Sequence, residues 1–186
     1  MSGMKIPHAA WLVVLMWLVH GAQTIFALHL NAYGIVPRSL SGLLGIPLSP
    51  WLHGSWLHLI GNSVPFLILG AFIQIKGKVI FWECTLIVMI VGGLGTWMIG
   101  SPAYHIGASG LVLGYWSFLI ADAWFTRSIK AILLAVITLA IYGGFIFMMF
   151  DFRAHISWAG HISGIIAGII VAKLYFNSNT KAALDG

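Results

Sequence analysis

Ser109 stands in GASG, residues 107–110, a hydroxyl set between Gly107 and Gly110, with His105 four residues before it. A serine is a weak nucleophile until a base takes its proton, and the carbonyl it attacks needs donors for the charge that develops on oxygen. The chain holds both kinds of group elsewhere. HGSWLHLIGN, residues 53–62, places His58 and Asn62 four apart, so two hydrogen-bonding side chains share one helical face, with His53 just ahead of them. GHISG, residues 160–164, sets His161 on the same face as Gly164 and Gly168. Serine, imidazole and a donor pair are the parts of an acyl-transfer site. Each also has a plainer reading: Ser109 as a helix cap or small packing residue, His161 as a packed histidine, His58 and Asn62 as a polar contact between helices. The choice turns on whether the three stretches meet.

The elements that would bring them together are membrane helices. The chain is 60% hydrophobic and 7% charged with a mean hydropathy of +1.00, where a soluble domain carries about a quarter charged residues. Apolar runs near the 20 residues that a span requires give six candidates, at about 8 to 29, 57 to 75, 79 to 99, 107 to 125, 129 to 150 and 156 to 176. The expectation is one all-α, polytopic domain over residues 1–186, a bundle of six transmembrane helices.

The formal charge of +5 does not mark a nucleic-acid binder, because the nine Lys and Arg residues are scattered singly. They report topology instead. If the spans alternate, Lys5, Lys76, Lys78, Arg127, Lys130, Lys173 and Lys181 fall on one side and Arg38 and Arg153 on the other, which puts both termini in the cytoplasm. Trp51 and Trp56 then belong to the outer interfacial belt. The connection over 31–56 is apolar for a loop and rich in Gly and Pro, so it is expected to lie in the interface, with a short helix through RSLSGLLG. Cys84, the sole cysteine, sits inside an apolar run and is read as packing.

On this map His53, His58, Asn62, His105, Ser109, His155 and His161 all fall at the outer ends of the second, fourth and sixth spans. Polar groups in a bilayer are costly, so a set converging at one depth marks a functional site. Counting 1.5 Å per residue from Arg127 sets Ser109 about 27 Å up a core of about 30 Å, so the fourth helix starts inside the membrane, where its first-turn N–H groups are free for a developing anion.

These motifs, HGSWLHLIGN, GASG and GHISG, resemble those of the rhomboid proteases, six-helix intramembrane serine proteases, and occur in that family's order on its second, fourth and sixth helices. The connection GIVPRSLSGLLGIPLSPWLHG also resembles a loop of bacterial members, so the likeness covers essentially the whole chain. The resemblance implies Ser109 as nucleophile, His161 as general base and acid, and an oxyanion site of His58, Asn62 and the Ser109 N–H. It gives Gly107 and Gly110 and His53 supporting roles. It implies transmembrane protein substrates, a lipid bilayer, no cofactor, no metal and no nucleic acid, and leaves the oligomeric state open. A bacterial inner-membrane location is expected. One departure is visible: some members carry an aromatic ring four residues after the serine to pack on the histidine, and Leu113 stands here, with Tyr115 pointing elsewhere.

A carboxylate is not expected to complete a triad. Asp122 lies about 20 Å from Ser109 along one helix, Glu83 near the inner end of the third, Asp185 in the tail, and Asp151 has Arg153 beside it. His155 is read as structural. The fifth helix with the FDFRAHISW connection is the expected gate, by family analogy. Rival classes fit less well. A zinc protease needs HExxH, and the single glutamate, Glu83, has no suitable histidine near it. An aspartyl protease needs two aspartates at one depth. A haem-binding bundle or transporter finds no histidine pair matched at mid-depth. The remaining alternative is a catalytically silent relative that binds transmembrane clients; such relatives typically lose the serine or the histidine, and both are present.

Overall fold

The computed structural model describes residues 7–151 and 156–184, with the side chains of 179 and 181–184 left out of account. Lys5, Arg153, His155, Asp185, the Lys181 side chain and the middle of the expected gate lie outside the described residues. Six helical segments appear where apolar runs demanded them: α1 (His8–Ile25), α2 (Trp56–Lys76), α3 (Lys78–Ile99), α4 (Ser109–Thr126), α5 (Ile129–Tyr142) and α6 (Trp158–Leu184). No strand is present among the described residues; one antiparallel bridge joins Ile35 to His105.

Five of these segments are long and apolar enough to cross a membrane, α5 together with the turns that follow it. The exception, α4, is less apolar because lipid is not its solvent. Leu111 to Leu119 and Asp122 are all buried, and α2, α5 and α6 pack around it. A central helix can carry Tyr115, Ser117 and Asp122 because neighbouring helices satisfy them. The other helices instead present Trp11, Leu18, Leu133, Val136, Ile166 and other large apolar side chains outward, as lipid-facing surfaces do.

Glycines set the spacing of the innermost pair. A Cβ on Gly164 or on Gly168 of α6 would run into the backbone carbonyl of Gly110 or of Gly114 on α4. The two GxxxG patterns thus interlock, and the Ser117 hydroxyl crosses the seam to the Ile165 carbonyl at 2.9 Å. On the other side of α6, Gly92 and Gly95 of α3 lie against Gly164 and Ser163.

The helix ends depart from the hydropathy in instructive ways. The first helix stops at Ile25, four residues short of the expected limit, where Ala27 takes a left-handed φ of 49°. The third is one continuous rod, but Val88–Gly92 is a π-helical turn, at the glycines that pack on α6. The fifth changes at Gly143 and Gly144, poor helix formers, into a 3₁₀ stretch, Gly143–Phe150. The sixth runs to Leu184, beyond the expected 176, because hydropathy marks where lipid ends rather than where hydrogen bonding ends. The helix expected within the connection over 31–56 arrives as three short turns, Ser41–Leu43, Gly45–Leu48 and Ser49–Trp51. Arg38 there donates to the Met98 and Gly100 carbonyls at 3.1 and 2.9 Å.

Candidate active site

The nucleophile candidate opens α4, and the turn before it is built around one atom's absence. Gly107 has φ +106°, and a Cβ there would lie 2.6 Å from the His58 ring, so backbone and packing both require glycine. Its N–H donates to the Ser49 carbonyl at 2.9 Å. The helix begins at Ser109 rather than at Gly107, with Ala108 as its cap residue. As the first helical residue, Ser109 has an N–H with no intrahelical acceptor.

His161 reaches Ser109 from α6. Its Nε2 is 3.0 Å from Ser109 Oγ, and its Nδ1 is 3.1 Å from the Met148 carbonyl. A carbonyl only accepts, so Nδ1 carries the proton, and Nε2 is left bare to accept from the serine hydroxyl. That second partner did not figure in the sequence reading. A backbone carbonyl has no residue signature, and Met148 lies in the 3₁₀ stretch that follows Tyr142 rather than in a continued α-helix. Met148 thus takes the orienting place that a carboxylate holds elsewhere. Asp122 is paired with Lys76 at 2.7 Å on the far side of the bundle.

His58 and Asn62 converge on Gly107 from α2, whose first turn is capped by Ser55 accepting from the His58 N–H at 3.1 Å. Asn62 Nδ2 donates to His53 Nε2 at 3.1 Å. An amide nitrogen cannot accept, so His53 must be neutral and protonated on Nδ1. Burial, helped by the His58 ring 5.0 Å away, lowers the His53 pKa from 6.5 to about 3. His53, which lies ahead of the α2 span, is therefore placed to fix Asn62. Gln23 and Asn31 each donate to its carbonyl at 3.3 Å. Leu113 is fully buried, and Tyr115 is turned away to bond Thr85 at 2.6 Å and pack on Phe66.

Ser109, His161 and His58 open on a cavity of about 560 Å³, bounded also by Tyr104, His105 and Ser157. Of the polar residues singled out from sequence, His58, Ser109 and His161 line this cavity, while Asn62 stands beside Gly107 and is bonded to His53, whose ring lies 5.0 Å from that of His58. His105 stands on the same wall but turns to Ser157, with Nδ1 2.7 Å from its Oγ. No group of three or more acidic, cysteine or histidine side chains arranged for a metal ion occurs among the described residues.

The chain as a whole is similar to known proteins. A family model described as "Rhomboid domain" matches residues 41–178. Uncharacterized protein Mb1372 of Mycobacterium bovis and uncharacterized protein Rv1337 of Mycobacterium tuberculosis are each 36% identical to the chain over 179 residues, covering 91% of it and 75% of their own length. Uncharacterized protein ML1171 of Mycobacterium leprae is 34% identical over 171 residues, 87% of this chain and 68% of its own.

Proposed function

The chain belongs to the rhomboid family, and from that premise we propose that it is an intramembrane serine endopeptidase that cleaves transmembrane segments of other proteins. The observation that carries the reading is the hydrogen bond between Ser109 and His161, together with the Met148 carbonyl that fixes the imidazole tautomer. In the reaction Ser109 Oγ attacks a peptide carbonyl while His161 Nε2 takes its proton. The oxyanion is received by the Ser109 N–H, His58 and Asn62. His161 then returns the proton to the leaving amine, and water entering by the cavity hydrolyses the acyl-enzyme. A helical substrate must unwind at the cut, since its carbonyls are otherwise occupied by its own backbone, so small or helix-breaking residues belong near the scissile bond.

The seven-to-two distribution of basic residues supports cytoplasmic termini and a site facing the outer side, and the mycobacterial relatives support a bacterial inner membrane as its place. The deciding experiment compares purified wild type with Ser109→Ala and His161→Ala on a model transmembrane substrate, alongside labelling by a fluorophosphonate. Wild type is expected to cleave and to be labelled, with both variants down by at least about a thousandfold in kcat. Undiminished cleavage by either variant sinks the dyad. A wild type that is neither labelled nor active sinks the protease and leaves a client-binding protein.

A further inference from the structure

The His105–Ser157 contact forms a second serine–histidine pair beside the first, with the helices exchanged. His105 precedes Ser109 by four residues on the approach to α4, and Ser157 precedes His161 by four on the approach to α6. One cross-link therefore runs from histidine before α4 to serine before α6, and the other from serine on α4 to histidine on α6. Its protons can be assigned. His105 Nε2 lies 2.9 Å from the Ser101 carbonyl and must donate there, so in the neutral ring Nδ1 is bare and accepts from the Ser157 hydroxyl at 2.7 Å. The same hydroxyl oxygen accepts from the Gly160 N–H at 3.2 Å, capping the first turn of α6.

His105 is held on two further sides. Its backbone exchanges hydrogen bonds of 2.9 and 3.0 Å with Ile35 in the bridge, and its side chain is buried. The segment ending at the nucleophile is thus pinned to the connection over 31–56, and through one imidazole to the cap of the helix that carries the base. Ser157 is already committed to Gly160 and to His105.

We propose that His105 and Ser157 act as a positioning brace that sets the distance between Ser109 and His161 across the α4–α6 seam. The role rests on the protease reading above, and neither residue touches the reacting atoms in it. A 1 Å error between nucleophile and base costs about a hundredfold in rate, so a rigid link one turn away bears directly on turnover.

The test uses full-length protein in detergent micelles with His105→Phe, Ser157→Ala, the double variant and Ser157→Thr. Three readouts are taken: kcat and KM on a transmembrane substrate, the rate of fluorophosphonate labelling, and hydrogen exchange of peptides covering 101–110 and 156–162. Each single variant is expected to lose about tenfold in kcat and in labelling rate with KM within about twofold. The double variant should be no slower than the slower single, and Ser157→Thr, which keeps both cap and hydroxyl, should recover most of the rate. Exchange should rise in both segments whichever partner is removed.

The brace is overturned if exchange rises only in the segment bearing the substitution, if the two losses multiply, or if the fluorophosphonate adduct maps to Ser157. Should Ser157→Ala fail to fold, His105→Phe and Ser157→Thr still decide through exchange. A wild type that is not labelled by the probe and does not cleave fails the protease reading alone, and exchange then judges the link by itself.

Discussion

His53 can hold Asn62 only as a neutral imidazole, because the amide donates and the ring nitrogen must accept. Folding opposes its protonation independently of that bond, because burial, followed by the neighbouring His58, lowers its pKa to about 3. The unfolded chain binds this proton near the ordinary histidine pKa of 6.5, so the neutral form stabilises the fold fully above that pH. The contribution, of order a few kcal/mol, is lost as pH falls from about 6.5 toward 3. Thermal unfolding in detergent at a series of pH values should show wild type losing Tm through this window faster than His53→Gln, which is less stable at neutral pH but lacks this titration. Equal acid slopes in the two proteins would contradict the assignment. The same logic sorts what was legible at this scale. Ser109, His161, His58 and Asn62 are side chains whose chemistry and spacing can be read from type alone. The partners that fix their tautomers and angles include a main-chain carbonyl at Met148, and no residue code announces that.

At the scale of elements, helices were legible because a bilayer leaves little choice: an apolar run of spanning length must satisfy its backbone internally. Their ends and irregularities were not, because these depend on partners. The π turn at Val88–Gly92 and the 3₁₀ stretch after Tyr142 follow from what packs beside them and from glycine pairs, features that hydropathy averages away. The GxxxG patterns were visible in sequence, and the structure adds which patterns meet: Gly110 with Gly164, and Gly114 with Gly168. Gly164→Val therefore tests the seam. Its side chain would strike the Gly110 carbonyl, a backbone atom that cannot rotate aside, so α6 must retreat from α4 and take His161 from Ser109. Fluorophosphonate labelling is expected to fall by at least about tenfold, with a stability loss of about 1–3 kcal/mol or more from overpacking. Gly143→Ala is the control, because a Cβ there meets open space and the backbone is already near helical. It should label as wild type does; loss of labelling in both variants alike would remove the seam from the explanation.

For the molecule as a whole, the notable economy is where its few charges are placed. Four carboxylates serve 186 residues, and one of them, Asp122, is buried with Lys76 at 2.7 Å on the side of the bundle away from the cavity. The Lys76 ammonium also lies 5.5 Å from the centre of the Tyr175 ring. Lys76 belongs to α2, Asp122 to α4 and Tyr175 to α6, the three helices that carry His58 and Asn62, Ser109, and His161. Three helices that converge on the site at one end are thus fastened to one another at the other, with the interlocked glycines between. Removing one member leaves a charge with no counter-ion in a dry interior, at a typical cost of about 3–5 kcal/mol, while replacing both with apolar residues is far less harmful. Asp122→Ala should therefore lower the unfolding temperature sharply, and Lys76→Met combined with Asp122→Leu should restore much of it. Labelling of Ser109 measured well below the melting temperature should persist in both variants, since no group at the cavity has changed. If Asp122→Ala melts with wild type, the pair carries no net stability. If instead it stays folded but loses labelling in the cold, the pair would be acting on the geometry of the site from some 20 Å away, and the division between a fastening end and a reactive end would have to be given up.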